Sequence, residues 1–278
     1  MSNDNAFIWQ DGILNLLTTP PNTVSYAWGI NNKGDVVGGS AFNSNQGQHT
    51  HATVWTKDNV TDLGSLPCGY SLGRKINNNG QVAGEGCAAN GEYHALYWNN
   101  GVVNDLGTFG GTYSIAWGIN DAGQVVGVST TASNQFHAFL WQNGNMTDLG
   151  TLEGPGGNYS FASAINNKGQ VVGTSSISNG GGRAFLWENG KMTDLGMLNG
   201  SNGASAYGIN DEGDIVGESN FQSGVSHAVL WHNGTITDLG TINGFPGSSA
   251  WDINNSGDIV GYSYTANQYR ALLWKRMD

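Results

Sequence analysis

Seven segments of the chain are copies of one another: AFIW at 6–9, HATVW at 51–55, HALYW at 94–98, HAFLW at 137–141, RAFLW at 183–187, HAVLW at 227–231 and RALLW at 270–274. Their tryptophans recur every 43 to 46 residues. A fixed period in this range points to a propeller or an array, in which each unit buries its apolar face only by stacking on its neighbours. Three more segments recur between these markers. One resembles S-x-A-W-G-I-N and ends at Asn31, Asn77, Asn120, Asn166, Asn210 and Asn254; the next is G-x-V-V-G; the last is T-D-L-G, with Asp62, Asp105, Asp148, Asp194 and Asp238. Each has the alternation or short apolar run of a strand. In chain order they are strands a, b, c and d, with c the tryptophan-bearing copy.

Turn chemistry fixes how the strands connect. Asn-x-x-Gly joins a to b, with Asn opening a type I turn and Gly in the left-handed region. Asn-Gly joins c to d at residues 143–144, 189–190 and 233–234, the strongest two-residue hairpin signal. The b-to-c and d-to-a connections are longer and differ between repeats, so one face of the fold gathers the variable loops, where function is placed. Strands a and b occur six times, and strand d six times if the degenerate LNLL at 14–17 is counted. The expectation is an all-β, six-bladed β-propeller of four-stranded antiparallel blades, one domain over 1–278. The N- and C-terminal strands share the last blade, either Ala6–Trp9 or Ala271–Trp274 filling its c position.

The (H)AFxW, TDLG and INxxGxVVG segments resemble the HAF family of extracellular repeats, found mainly in bacterial proteins, over about residues 6 to 274. The resemblance implies export and an extracellular or cell-surface location, with any signal peptide absent from this chain. It implies no defined activity.

Composition narrows the function classes. Glycine is 44 of 278 residues and only 11 % of residues are charged, while ten Trp, ten Tyr and nine Phe supply a core. That excludes helical bundles, collagen and disordered linkers. A net charge of −11 with no basic cluster argues against nucleic acid, and no apolar run is long enough for a spanning helix.

Residues present in every repeat read as scaffold. The TDLG aspartates lack the clustered oxygens calcium needs. The first residues of strand c (His51, His94, His137, Arg183, His227, Arg270) exchange His for Arg, as hydrogen-bond donors can and metal ligands cannot. His49 and His51 form the one close His pair, placed on a loop. No metal or cofactor is expected. The departures from the repeat are the candidate sites. The fourth position of strand a holds Trp28, Arg74, Trp117, Ser163, Tyr207 and Trp251; the following residue is charged at Lys75 and Asp252; the end of strand b carries Glu85 and Glu218. Strand a lies innermost, so Trp28, Arg74, Lys75, Glu85, Trp117, Tyr207, Glu218, Trp251 and Asp252 are the expected ligand-binding set. Tyr70, Tyr93, Tyr113, Tyr159, Phe245, Tyr264 and Tyr269 decorate the variable loops. Cys68 and Cys87 sit on variable-face loops of one repeat, as a disulfide or as two free thiols.

Aromatic rings beside amide and hydroxyl groups suit sugar faces. The expectation is a non-catalytic module binding a carbohydrate or other polymer. One alternative is an enzyme of polysaccharide lyase or glycoside hydrolase type with an axial-funnel active site, which needs its charged residues to converge. For a glycosidase that means two carboxylates about 5 to 9.5 Å apart; Glu85 and Glu218, three repeats apart, would lie too far from each other. The other alternative is a scaffold whose partner is another protein.

Overall fold

The computed structural model describes residues 5–17, 24–44, 47–154, 157–178 and 181–276, and among them the chain is all-β with no helix. The first repeat runs Ser25–Ile30, Val36–Ser44, Gly47–Trp55 and Val60–Asp62; the second, Ser71–Ile76, Val82–Cys87, Tyr93–Asn99 and Val102–Asp105; the third, Gly110–Ile119, Val125–Thr131, Phe136–Gln142 and Asn145–Asp148. The fourth runs Ser160–Ile165, Val171–Ser176, Gly182–Glu188 and Lys191–Asp194; the fifth, Ser201–Ile209, Ile215–Phe221, Ser226–His232 and Thr235–Asp238; the sixth, Gly247–Ile253, Ile259–Tyr264 and Tyr269–Trp274. Within the repeats, consecutive strands pair antiparallel in the order a-b-c-d. Two compact units result, Met1–Asn134 with Trp141–Met146, and Gln135–Leu140 with Thr147–Asp278.

The repeated motifs are stitching. The Asn that ends strand a accepts backbone N–H bonds across its own turn, as Asn77 Oδ1 does from Asn79 and Gln81 at 3.0 and 2.9 Å. Its Nδ2 donates to the matching carbonyl of the next repeat: Asn31 to Asn77 at 3.1 Å, Asn77 to Asn120 at 2.8 Å, Asn166 to Asn210 at 2.9 Å, Asn210 to Asn254 at 3.2 Å. The TDLG aspartates accept from the Gly two residues on and from the His that opens strand c, in the pairs His51–Asp62, His94–Asp105, His137–Asp148 and His227–Asp238 at 2.7 to 2.9 Å. The strand-c tryptophans Trp98 and Trp231 pack between repeats in two of the apolar cores. Trp231 and Trp274 donate to carbonyls of the preceding repeat, at Gly196 and Leu239.

Two expectations are modified. The strand Ile13–Leu16 pairs with Phe7–Gln10 through a two-residue turn at Asp11 and Gly12, both at positive φ, and the sixth sheet has three strands among the described residues. Two strands that close on each other through a local two-residue turn pay little loop entropy to pair. Ala271–Trp274 takes the c place beside Ile259–Tyr264. The first b-to-c connection is a paired extension rather than a loop, so His49 and His51 both lie on the strand Gly47–Trp55.

A feature absent from the motif reading recurs in all six repeats. The a-b ladder slips by one residue at the fourth position of strand a, a β-bulge at Trp28, Arg74, Trp117, Ser163, Tyr207 and Trp251. The bulge drives a strand-a carbonyl onto the last Gly of G-x-V-V-G. A Cβ there would stand 1.8 to 2.0 Å from that oxygen at Gly38, Gly84, Gly127, Gly173, Gly217 and Gly261. Only glycine fits, because the contact is backbone on backbone. Gly217→Ala is therefore expected to destabilise the protein by about 1–3 kcal/mol, the range for overpacking, measured by urea unfolding. Gly234→Ala, where nothing lies within 4 Å of the added carbon, pays only the positive-φ penalty and should cost less.

Candidate functional site

The bulges aim the departures from the repeat, as bulges beside binding sites do. Of the nine expected residues, Trp28, Arg74, Lys75, Glu85 and Trp117 belong to the first unit and Tyr207, Glu218, Trp251 and Asp252 to the second. The first unit brings Trp28, Arg74, Glu85 and Trp117 together and the second Tyr207, Glu218 and Trp251, while Lys75 and Asp252 are placed apart from these contacts.

In the first unit Arg74 reaches the end of strand b of its own sheet and donates twice to Glu85, Nη2 to Oε1 at 2.8 Å and Nε to Oε2 at 3.3 Å. Both side chains are largely buried, so this is a charge-assisted, bidentate pair shielded from water. The guanidinium lies 4.1 Å from the centre of the Trp117 ring and 5.4 Å from that of Trp28, the bulge residues of the flanking repeats. Trp28 is 54 % exposed and Trp117 37 %, so each ring keeps open surface. Lys75 follows Arg74 on the strand, and its backbone lies against Gly29, where a Cβ would meet the Lys75 Cα at 3.1 Å.

Sequence reasoning left two residues of this cluster out of the site. Tyr70 and Tyr113 both feel Glu85 and Arg74: burial and the Glu85 charge hold both phenols above their ordinary pKa, against a smaller opposing pull from Arg74. They therefore present neutral hydroxyls. Tyr70 also meets Tyr93 edge-on at 5.7 Å. The signal for Tyr70 lay in the cysteines. Cys68 and Cys87 form a disulfide with Cα atoms 5.6 Å apart, tying the Tyr70 loop to the strand that carries Glu85 two residues earlier, and the Cys87 N–H donates to the Tyr70 carbonyl at 3.2 Å. Closing a loop of 19 residues removes about 3 kcal/mol of unfolded-state entropy.

In the second unit the same two repeat positions carry Tyr207 and Glu218, and the Tyr207 hydroxyl donates to Glu218 Oε1 at 3.0 Å. Burial and the Glu218 charge push this phenol well above its ordinary pKa. Tyr207 stacks on Trp251 at 5.4 Å, and Trp251 in turn faces Tyr262 at 6.3 Å. Asp252 turns back on its own strand, accepting the Ile253 N–H at 3.0 Å, with its Cα 3.0 Å from where a Gly208 Cβ would stand. In five of the six repeats the residue eleven places after the bulge matches it in kind, the exception being Trp251, followed by Tyr262. A hydrogen-bonding bulge residue is followed by a polar partner (Arg74 and Glu85, Tyr207 and Glu218, Ser163 and Thr174), whereas Trp28 and Trp117 are followed by Gly39 and Val128.

Of the histidine pair, His51 is engaged by Asp62, and no cluster of three His, Cys, Asp or Glu side chains that could hold a metal occurs among the described residues.

No protein-family model matches the chain, and no curated protein matches it. Its structural neighbours are β-propeller proteins. A TolB candidate from Agrobacterium tumefaciens is similar at 11 % identity and TM-score 0.56, over 82 % of this chain and 84 % of that one. TolB from Acinetobacter baumannii is similar at 14 % identity and TM-score 0.51, over 87 % of this chain and 66 % of that one. A puromycin-hydrolyzing peptidase from Mycobacterium tuberculosis is similar at 12 % identity and TM-score 0.52, over 91 % of this chain and 44 % of that one. The chain thus spans less than half the length of the peptidase. At these identities the likeness concerns fold alone.

Removing Glu85 leaves the Arg74 guanidinium in its site without a counter-charge. Glu85→Gln should cost about 3–5 kcal/mol in denaturant unfolding, whereas Arg74→Met combined with Glu85→Leu should recover most of that loss.

Proposed function

We propose that this chain is a non-catalytic binding module that takes a carbohydrate or other hydroxyl-rich polymer at the Arg74 cluster. The observation that carries the reading is the Arg74–Glu85 pair set between the open rings of Trp28 and Trp117. The pair cancels its own charge, so the cluster selects a neutral ligand over an anion. Trp117 and Trp28 supply stacking faces for C–H surfaces, while Arg74, Tyr70 and Tyr113 supply hydrogen-bonding groups around them. Both Glu85 oxygens are taken up by Arg74, which leaves no free carboxylate in this cluster for acid–base work and favours binding over catalysis.

The same reading places the six repeats in one propeller domain closed at the last blade by its terminal strands. Its support is a repeated bond. The N–H of the strand-c alanine donates to the serine that opens strand a of the next repeat in Ala52–Ser71, Ala95–Ser114, Ala138–Ser160 and Ala228–Ser248, and Ala6 donates to Ser25 in the same way at 2.9 Å. The N-terminal hairpin thus holds, toward the first repeat, the position of a preceding repeat's outer strands. The disulfide supports residence in an oxidising compartment, at the cell surface or outside the cell.

A glycan array followed by titration calorimetry tests the proposal. Trp28→Ala and Trp117→Ala should each weaken the best ligand at least about tenfold, with an unchanged circular dichroism spectrum. An array without ligands, or a ligand indifferent to both substitutions, contradicts it.

A further inference from the structure

The two units present the same constellation in two chemical states. By repeat position Glu218 corresponds to Glu85, Tyr207 to Arg74 and Trp251 to Trp117. In the first unit a carboxylate and an indole face hold a cation between them, and that cation is the protein's own guanidinium, 4.1 Å from the ring centre. In the second unit the carboxylate and the indole remain and the cation is gone. Among the described residues Glu218 makes no ion pair; its hydrogen-bond partner is the Tyr207 hydroxyl.

The aromatic surface around Glu218 is larger than its counterpart. Trp251 is flanked by Tyr207 and Tyr262, and Tyr262 meets Tyr269 edge-on at 5.4 Å and 72° and Tyr264 at 5.9 Å and 60°. Trp251 is 54 % exposed and Tyr269 67 %. Trp251 stands on the bulge and Tyr269 at the start of strand Tyr269–Trp274. The basic side chains of the sixth repeat are engaged with other groups: Arg270 lies over Phe245, Lys275 faces Asp258, and Arg276 faces Asp214. Burial and the Glu218 charge keep the Tyr207 phenol protonated and the Tyr262 phenol raised, so these rings add no negative charge of their own. Several electron-rich faces beside one uncompensated carboxylate attract a soft, weakly hydrated cation.

We propose that the Trp251, Tyr262 and Tyr269 rings, with Glu218 behind them, form a binding site for an alkylammonium group. A quaternary ammonium suits it best, because its methyl groups pack on aromatic faces while its charge is felt by the carboxylate and the ring quadrupoles. The group can come from a choline headgroup or from a methylated lysine. The site is separate from the Arg74 cluster, so its failure leaves the polymer-binding reading untouched.

Calorimetry and tryptophan fluorescence on the full chain test it, with choline and tetramethylammonium as probes and the neutral carbon isostere of choline as control. Choline is expected to bind, and the isostere at least about tenfold more weakly. Trp251→Ala, at an exposed position, should abolish choline binding, and Glu218→Gln should weaken it several-fold without altering the circular dichroism spectrum. Tyr207→Arg builds into the second unit the internal cation of the first and should block the site; its folding is checked by the same spectrum. A trimethyl-lysine peptide compared with its unmethylated form separates the two sources. Equal binding of choline and its isostere, unchanged affinity in Trp251→Ala, or no choline binding at tens of millimolar overturns the proposal.

Discussion

One backbone contact organises each repeat: the carbonyl of a strand-a residue pressed onto the Cα of the last glycine in G-x-V-V-G. A methyl group at that glycine would sit within 2 Å of the oxygen in all six copies. The contact exists because strand a carries one extra residue at its fourth position, and the ladder absorbs it by closing on a residue without a side chain. The extra residue escapes the inward–outward alternation that fixes its neighbours. The valines just before the contact glycine are buried, as Val36, Val37, Val82, Val125 and Val126 are, while the bulged Trp28 and Trp251 are open to solvent. Each repeat thus spends its invariant residues on building one position that is free to vary.

That division explains the chemistry. The turn asparagines, the TDLG aspartates and the Nδ1 atoms of the strand-c histidines have hydrogen-bond partners within the repeat or in a neighbouring one, and they read as scaffold on that ground. The bulge residue makes few obligatory bonds, so substitution there costs the fold little. Arg74 is the exception. Its charge is buried, and it is tolerated because Glu85 stands opposite and two indoles cover it. Tyr207 brings no cation to compensate, and Glu218 accepts its hydroxyl hydrogen bond in place of an ion pair.

Much of this was legible in the chain itself. The period, the four strands, both tight turns and the choice of Trp28, Arg74, Trp117, Tyr207, Trp251, Glu85 and Glu218 as informative departures follow from comparing copies. The bulge was not legible, because an extra residue present in every copy leaves the alignment of copies unbroken. The pairing of the N-terminal hairpin with itself was missed for a different reason: LNLL departs so far from TDLG that its partner could be inferred only by counting strands, while the Asp11–Gly12 turn acts locally. The link between the bulge residue and the residue eleven places on was present in the sequence all along. Arg74 meets Glu85 and Tyr207 meets Glu218 diagonally across the ladder, since each Glu pairs with the residue two places before the bulge, Leu72 or Ser205.

The central claim is that binding resides at the bulges and that the strand-c tryptophans are scaffold. The ten indole N–H groups make this directly measurable by heteronuclear NMR. On titration with ligand, the resonances of Trp28 and Trp117 should shift with a polymer ligand and that of Trp251 with choline, while those of Trp55, Trp98, Trp187, Trp231 and Trp274 stay in place. Shifts confined to the strand-c indoles, with the bulge indoles unmoved, would contradict the account.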